Sequence, residues 1–415
     1  MIKIKSNYSL SYNSLGIKAL AWSVLLFFLL NQVLPLDNSS YSSQRISFVI
    51  IVFLYFIFVK RISVRFDVFT VSVFFILFFL ILYSFLVSLI FNSDQVQASR
   101  FFHFLVFSLL SPFIVFSLLH DEVQFHKAII FASLAQVVFI IFTYSSGTFS
   151  SLIFSYIDSS GQILTGARAT GLSSSGGAAL SVVVSLGSLS ILRLSELKPR
   201  MWHFTALIVI TVSVGLVART GMLVSLISLF FLIVKGRVSA KGFIVAFCTV
   251  IFLGFAIFNL IKGNPQFFGY TLSWALSVFS GSDQTLNVML NQDLRELGER
   301  VLLFGGVGVS NADGSNASGS DVGYLQTVYA IGVPFGAFFY LIYSLYLFHF
   351  KVGRCDEFFK YFLIFLIFLL EVKEPFIFKY AISFYVLTSI LYMRKVSVTS
   401  DCPPESVITR PPSPP

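Results

Sequence analysis

Residues 66–91 read FDVFTVSVFFILFFLILYSFLVSLIF, and the acid at the second position is the only charge among them. Strict alternation of polar and apolar residues would mark a half-buried strand, and a soluble helix would carry a polar face; this run has neither. A solid apolar stretch of above about twenty residues has the length to cross a bilayer as a helix. A transmembrane barrel strand would instead occupy roughly ten residues of alternating polarity. The rest of the chain agrees. Hydrophobic residues make up 56% of the 415 and charged residues 11%, with a mean hydropathy of +0.88. That composition excludes a soluble globular domain.

Cutting the sequence at its polar breaks predicts an all-α, polytopic integral membrane protein of about twelve transmembrane helices. The predicted spans are 17–35, 46–59, 67–91, 101–119, 128–144, 170–192, 202–217, 221–234, 242–261, 322–348, 359–370 and 377–393. Residues 1–401 form one transmembrane domain, with one large extracytoplasmic loop at 262–321. The proline-rich tail, 402–415, is expected to be disordered in the cytoplasm. The first span follows Lys3, Lys5 and Lys18 and lacks a small-x-small cleavage site, so it reads as an uncleaved anchor.

The net charge of +9 is a topological signal here rather than a nucleic-acid one. With the N-terminus in the cytoplasm, most of the 28 Lys and Arg residues fall in inner loops or at the termini, as the positive-inside bias requires. Both termini are then cytoplasmic. The cations left outside are Arg45, Arg100, Arg168, Arg219, Lys262, Arg295, Arg300, Lys373 and Lys379. Outer arginines run against the bias, and a planar guanidinium suits phosphate or carboxylate. Interfacial snorkelling is the plain alternative for any one of them.

Four stretches carry candidate chemistry. Residues 303–326, LFGGVGVSNADGSNASGSDVGYLQ, close the large loop. Such Gly/Ser/Asp segments present backbone N–H groups and small hydroxyls to phosphorylated or polyhydroxylated ligands. Asp321 sits at the mouth of the next span, where it or Ser320 could equally cap a helix. Upstream, Leu286, Leu290, Leu294, Leu297 and Val301 form an apolar stripe at helical spacing, with Arg300 on the opposite face. Residues 165–177, TGARATGLSSSGG, place Arg168 at the entrance to the sixth span beside small packing residues. Arg219, in the turn Arg219-Thr-Gly221, lies near the hydrocarbon boundary, where a charge needs a partner or a wet cavity. The outer turn Glu371–Pro375 holds Glu371 and Glu374, which could neutralise outer arginines or pair locally with Lys373.

Other classes find no support. The five histidines avoid both long outer segments, and no Walker or Ser-His-Asp arrangement occurs. Three scattered cysteines do not suggest a disulfide framework, and no Cys/His set has metal-ligand spacing. The inner loops are too short for a nucleotide-binding domain, and no internal repeat supports an inverted-repeat transporter.

This architecture, together with Arg168-Ala-Thr-Gly171, Arg219-Thr-Gly221, Gly306-Val-Gly308, residues 320–325 (SDVGYL) and Gly332-Val-Pro334, resembles the O-antigen polymerase family (Wzy-type) of the O-antigen ligase-like superfamily. The resemblance implies a membrane glycosyltransferase of lipopolysaccharide or other surface polysaccharide biosynthesis. It would join undecaprenyl-diphosphate-linked repeat units at the outer face of the bacterial inner membrane. No cofactor, metal or nucleotide sugar is implied; a chain-length-regulating partner is. On that reading Arg168 and Arg219 hold the leaving diphosphate, Asp321 acts as general base, and Arg295, Arg300, Tyr324 and Glu371 shape the substrate groove. Two alternatives remain: the sister ligase, disfavoured by the absence of a large-loop histidine, and a transporter of lipid-linked sugars.

Overall fold

The computed structural model describes residues 15–31, 42–58, 66–156, 171–173, 177–235, 298–311 and 315–397. Every named element among them is helical: α1 (Leu15–Leu30), α2 (Ser43–Phe58), α3 (Val68–Phe91), α4 (Val96–His103), α5 (Ser111–Leu118), α6 (Glu122–Ser145), α7 (Gly147–Tyr156), α8 (Gly177–Leu197), α9 (Met201–Gly215), α10 (Arg219–Val234), α11 (Glu299–Phe304), α12 (Gly323–His349), α13 (Arg354–Glu371) and α14 (Tyr380–Ser397). A π-helical stretch, Phe104–Leu110, joins α4 to α5. Pro112 follows it; having no N–H, it cannot continue the α-helical ladder.

Five elements are long and apolar enough to cross a membrane: Val68–Phe91, Val96–Leu118, Glu122–Ser145, Gly177–Leu197 and Gly323–His349. Shorter apolar helices cover Leu20–Leu30, Ser43–Phe58, Met201–Gly215 and Arg219–Val234. The all-α membrane class is therefore right. The ninth expected span, 242–261, and the large loop as far as residue 297 lie outside the described residues, as does most of the predicted apolar stripe. On α3, Phe75 and Ile90 are 71% and 72% exposed, with Phe78, Phe79, Leu82 and Leu86 beside them. A row of bare aromatic and aliphatic side chains is costly in water and costs nothing against lipid.

At the centre stands α8, packed against α6, α9 and α10. Its serines explain the position. Ser181, Ser185 and Ser188 are fully buried, and small residues at this spacing let helix backbones approach closely. The Ser188 hydroxyl donates to Ser225 of α10 at 2.9 Å. Gly221 of α10 lies so close to α8 that a Cβ there would meet the Ser181 carbonyl oxygen at 2.2 Å. The small residue after Arg219 thus serves helix packing.

A buried ion cluster ties this centre to α13. Arg193 of α8 donates through Nε to Glu122 at 2.6 Å, and through Nη1 to Asp356 at 2.6 Å and Glu196 at 3.2 Å. Lys235 pairs with Glu196 in turn. These residues fall at the end that the charge bias predicts to face the cytoplasm. Asp67 caps α3 by accepting the Thr70 N–H at 2.8 Å, and it meets His349 of α12 at 2.9 Å. Partial burial raises the Asp67 carboxyl, but hydrogen bonds from Thr70 and the nearby His349 outweigh it and hold the group at about 2.

Arg193 is 2% exposed, so its removal strands two buried carboxylates. Arg193→Met should cost about 3–5 kcal/mol, read as a lower melting temperature in detergent. The triple apolar variant, with Glu122→Leu and Asp356→Leu added, should recover most of that loss, because replacing a whole buried ion cluster is often neutral.

Candidate functional site

The glycine-rich loop docks on a break in α12. Pro334 cannot donate to the Ala330 carbonyl, and Gly332 turns the chain with φ 81°, ψ 165°. Two carbonyls are thereby freed inside the protein. The loop satisfies both: Gly306 N–H donates to Ala330 and Val307 N–H to Tyr329, each at 3.1 Å. Only glycine fits at the crossing. A Cβ on Gly332 would meet the Leu303 carbonyl oxygen at 2.4 Å, and one on Gly305 would meet the Ile331 nitrogen at 2.4 Å. The Gly332-Val-Pro334 and Gly305–Gly308 motifs are two halves of one joint.

Asp94, just ahead of α4, holds the far side of the loop. Its Oδ2 accepts the N–H groups of Val309 at 2.8 Å and Ser310 at 2.5 Å. Its Oδ1 accepts from Val96 and so starts α4. Beyond Ser310 the chain folds back: Ala317 N–H reaches the Val309 carbonyl at 2.9 Å, and a bridge pairs Ser310 with Asn316.

Beneath this roof lies a polar centre built by α4, α12 and α13. Glu371, the last residue of α13, is fully buried. It accepts from the Tyr340 hydroxyl at 2.9 Å and from the Ile377 N–H at 2.7 Å. Gly323 begins α12 against it, since a Cβ there would stand 2.5 Å from Oε1. Thr327, one turn on, lies 2.9 Å from the Tyr340 hydroxyl. From α4, the Arg100 guanidinium is within electrostatic reach of Glu371, Tyr340 and Asp94. Arg100 is partly buried, and its Nη1, closed off from solvent, has no hydrogen-bond partner.

Two glutamines complete the centre. Gln97 precedes Arg100 by one helical turn and is 2% exposed; neither its Oε1 nor its Nε2 has a partner. Gln326 shares a helix face with Gly323 and Thr327 and is 3% exposed. Its Nε2 donates to the Ser320 carbonyl at 3.2 Å, which leaves Oε1 facing the interior without a donor. Buried polar atoms are overwhelmingly paired in folded proteins, so these orphans make the centre a candidate for binding a further polar group.

The sequence-predicted residues divide. Glu371 is at the centre. Tyr324 stands beside it, with its ring 4.7 Å from that of Tyr340 and its hydroxyl donating to Phe368 at 2.9 Å. Asp321 is exposed on the rim and accepts from Asn316 Nδ2 at 2.7 Å. It does not cap α12: Val322 is the cap residue, and the Val322 N–H goes to Ser320 Oγ at 3.2 Å. Arg300, on α11, lies 4.5 Å above the Phe91 ring, also at the rim. Arg219 opens α10, which packs chiefly on α8 and α9 and, further along, sets Phe231 against Phe358 and Phe362 of α13. Arg168 and Arg295 lie outside the described residues; of the Arg168 motif, Gly171 is seen donating its N–H to Thr143 at 3.2 Å. The residues missed were Asp94, Gln97, Gln326 and Tyr340. Arg100 stood among the outer cations without being singled out, and the signal that could have found it is the one-turn spacing of Gln97 and Arg100 at the polar entrance to the 101–119 run.

Asp94→Asn leaves the helix start able to accept one bond and weakens the loop's anchor. Hydrogen exchange at Val309 and Ser310 should quicken by about tenfold or more, with exchange in α8 unchanged. Unaltered loop exchange would show that the docking at the α12 break alone suffices to hold it. Compared with protein-family models, with curated proteins and with solved structures, the chain matches none.

Proposed function

We propose that this protein is a membrane glycosyltransferase of the O-antigen polymerase type, acting at the outer face of a bacterial inner membrane. It joins oligosaccharide repeat units carried on undecaprenyl diphosphate. The observation that carries the reading is the buried centre of Glu371, Tyr340 and Arg100, roofed by the glycine-rich loop. Several of its residues are short of hydrogen-bond partners. It sits at the end of the bundle opposite the Arg193 cluster, where the charge bias puts the extracytoplasmic side.

In the reaction an acceptor hydroxyl attacks the anomeric carbon of the donor glycan. The bond from that carbon to the diphosphate oxygen breaks, the hydroxyl proton passes to a carboxylate, and the lipid diphosphate departs. Asp321 is the carboxylate we assign as general base, because it is exposed at the loop rim. Glu371 is engaged through both oxygens and orders Tyr340 and the loop end of α12. Arg300 at the rim, with Arg168, Arg219 and Arg295, would neutralise the leaving diphosphate.

The test is a lipopolysaccharide gel from a strain lacking the gene, complemented with wild type or Asp321→Asn at matched protein levels. Core bearing a single repeat in the deletion strain, with a ladder regained only from wild type, is the expected result. Loss of the base should slow extension by about a hundredfold or more. Core with no repeat, while lipid-linked polymer accumulates, would replace the reading with the ligase. A second reading, a carrier of lipid-linked sugars, is favoured by the discontinuity of α12, a feature of transporter sites. Vesicles reconstituted with purified protein separate the two, by extension of lipid-linked units against their translocation.

A further inference from the structure

The polar centre has a charge balance that says what it holds. Arg100 faces Glu371 and Asp94, and Lys379 beside Glu371 is paired with Glu374. Among the described residues here, carboxylates outnumber cations. A diphosphate site requires the reverse, because a dianionic group must be met by excess positive charge. The orphaned atoms point the same way. Gln326 Oε1, an amide oxygen, can only accept. Phosphate oxygens are themselves acceptors and cannot answer it. Gln97 offers both a donor and an acceptor, and Arg100 Nη1 a donor. A ligand that matches must donate and accept from adjacent atoms and bring no negative charge. Neighbouring hydroxyls on a sugar ring do that.

We infer that the centre formed by Gln97, Arg100, Gln326 and Glu371 is a binding site for an uncharged, hydroxyl-bearing sugar ring and not for the phosphate. Resting on the glycosyltransferase reading above, this is the acceptor's sugar, placed under the glycine-rich loop, with the diphosphate of the donor held elsewhere. The loop controls entry: it is tied to α4 through Asp94 and to α12 through two backbone bonds. The aromatic rings of Tyr324 and Tyr340, 4.7 Å apart, give the ring an apolar wall.

The experiment uses the full chain purified in detergent. Its probes are the repeat oligosaccharide, freed from its lipid diphosphate by mild acid, and inorganic pyrophosphate. Calorimetry should show that the oligosaccharide binds and that pyrophosphate does not displace it. Gln97→Met should weaken oligosaccharide binding by about tenfold. In the absence of sugar its melting temperature should equal or exceed that of wild type, because an unsatisfied buried amide has been replaced by an apolar chain of similar length. Gln326→Met supplies a second variant should the first fail to give a monodisperse protein. Displacement by pyrophosphate overturns the inference, as does unchanged affinity in both variants. So does an oligosaccharide that fails to bind while the same preparation extends lipid-linked units; in that case the glycosyltransferase reading stands and the centre holds only water. Gln97-dependent sugar binding in a protein that neither extends lipid-linked units nor restores a ladder has the opposite meaning: the site is confirmed and the enzymatic reading fails.

Discussion

The structure turns on a backbone requirement. In a bilayer no water is at hand to pair a freed carbonyl, so an interrupted helix persists only where protein fills the gap. Gly332 and Pro334 interrupt α12 after ten residues, about 15 Å along its axis from Gly323. The N–H groups of Gly306 and Val307 fill the vacancy. Everything on that side of the molecule is then positioned. The loop, pinned at α12, meets Asp94; Asp94 sets the start of α4 and with it Gln97 and Arg100. The segment of α12 ahead of the break is directed so that Gly323 rests on Glu371.

The two ends of the bundle are built on opposite principles. At the Arg193 end three carboxylates and a guanidinium answer one another at hydrogen-bond distance, and α6, α8 and α13 are fixed by that arrangement. Some atoms even there lack partners, among them Arg193 Nη2 and Glu122 Oε2, but each of those side chains is already anchored through another atom. At the loop end Gln97 is anchored through nothing. A buried amide left wholly unpaired weakens the free protein; Gln136 of α6 shares that state, and what sets Gln97 apart is its place one turn from Arg100.

The legible part of this fold was the part set by composition and local pattern. A run such as Val68–Phe91 has one stable solution in lipid, and the glycine-rich segment announced close approach of backbone to something. What it approached was not local: Gly306 and Ala330 are separated by a helix entrance and a folded loop, while Asp94 reaches Val309 across 215 positions, half the chain. Charge reading favoured Arg219 because it stood alone in sequence, yet the turn that holds it is shaped by the packing of Gly221 on Ser181. Ser320 and Asp321 read equally as helix caps, and it is the Ser320 hydroxyl that accepts the Val322 N–H. Gln97 carried no charge and sat in the polar stretch 92–100, NSDQVQASR, which reads as a connecting loop. Nothing short of its burial without partners could distinguish it.

On the proposed reading, a closed polar centre and a charged lipid-linked substrate share one protein. A lipid diphosphate brings its charge to the membrane surface, where arginines can reach it from the rim without being desolvated. Arg300, exposed above Phe91, is placed for that task. A sugar hydroxyl must instead be oriented to within a few tenths of an ångström and kept from competing water, which calls for a dry, rigid cradle whose guanidinium is answered by carboxylates. Burying the arginines would cost several kcal/mol per ion and gain nothing in orientation. Leaving the amides exposed would surrender their selectivity to water. A division between solvated arginines at the rim and a closed interior where Arg100 faces carboxylates is what those two costs select, and the glycine-rich loop, bonded to both α12 and Asp94, runs along the boundary between them.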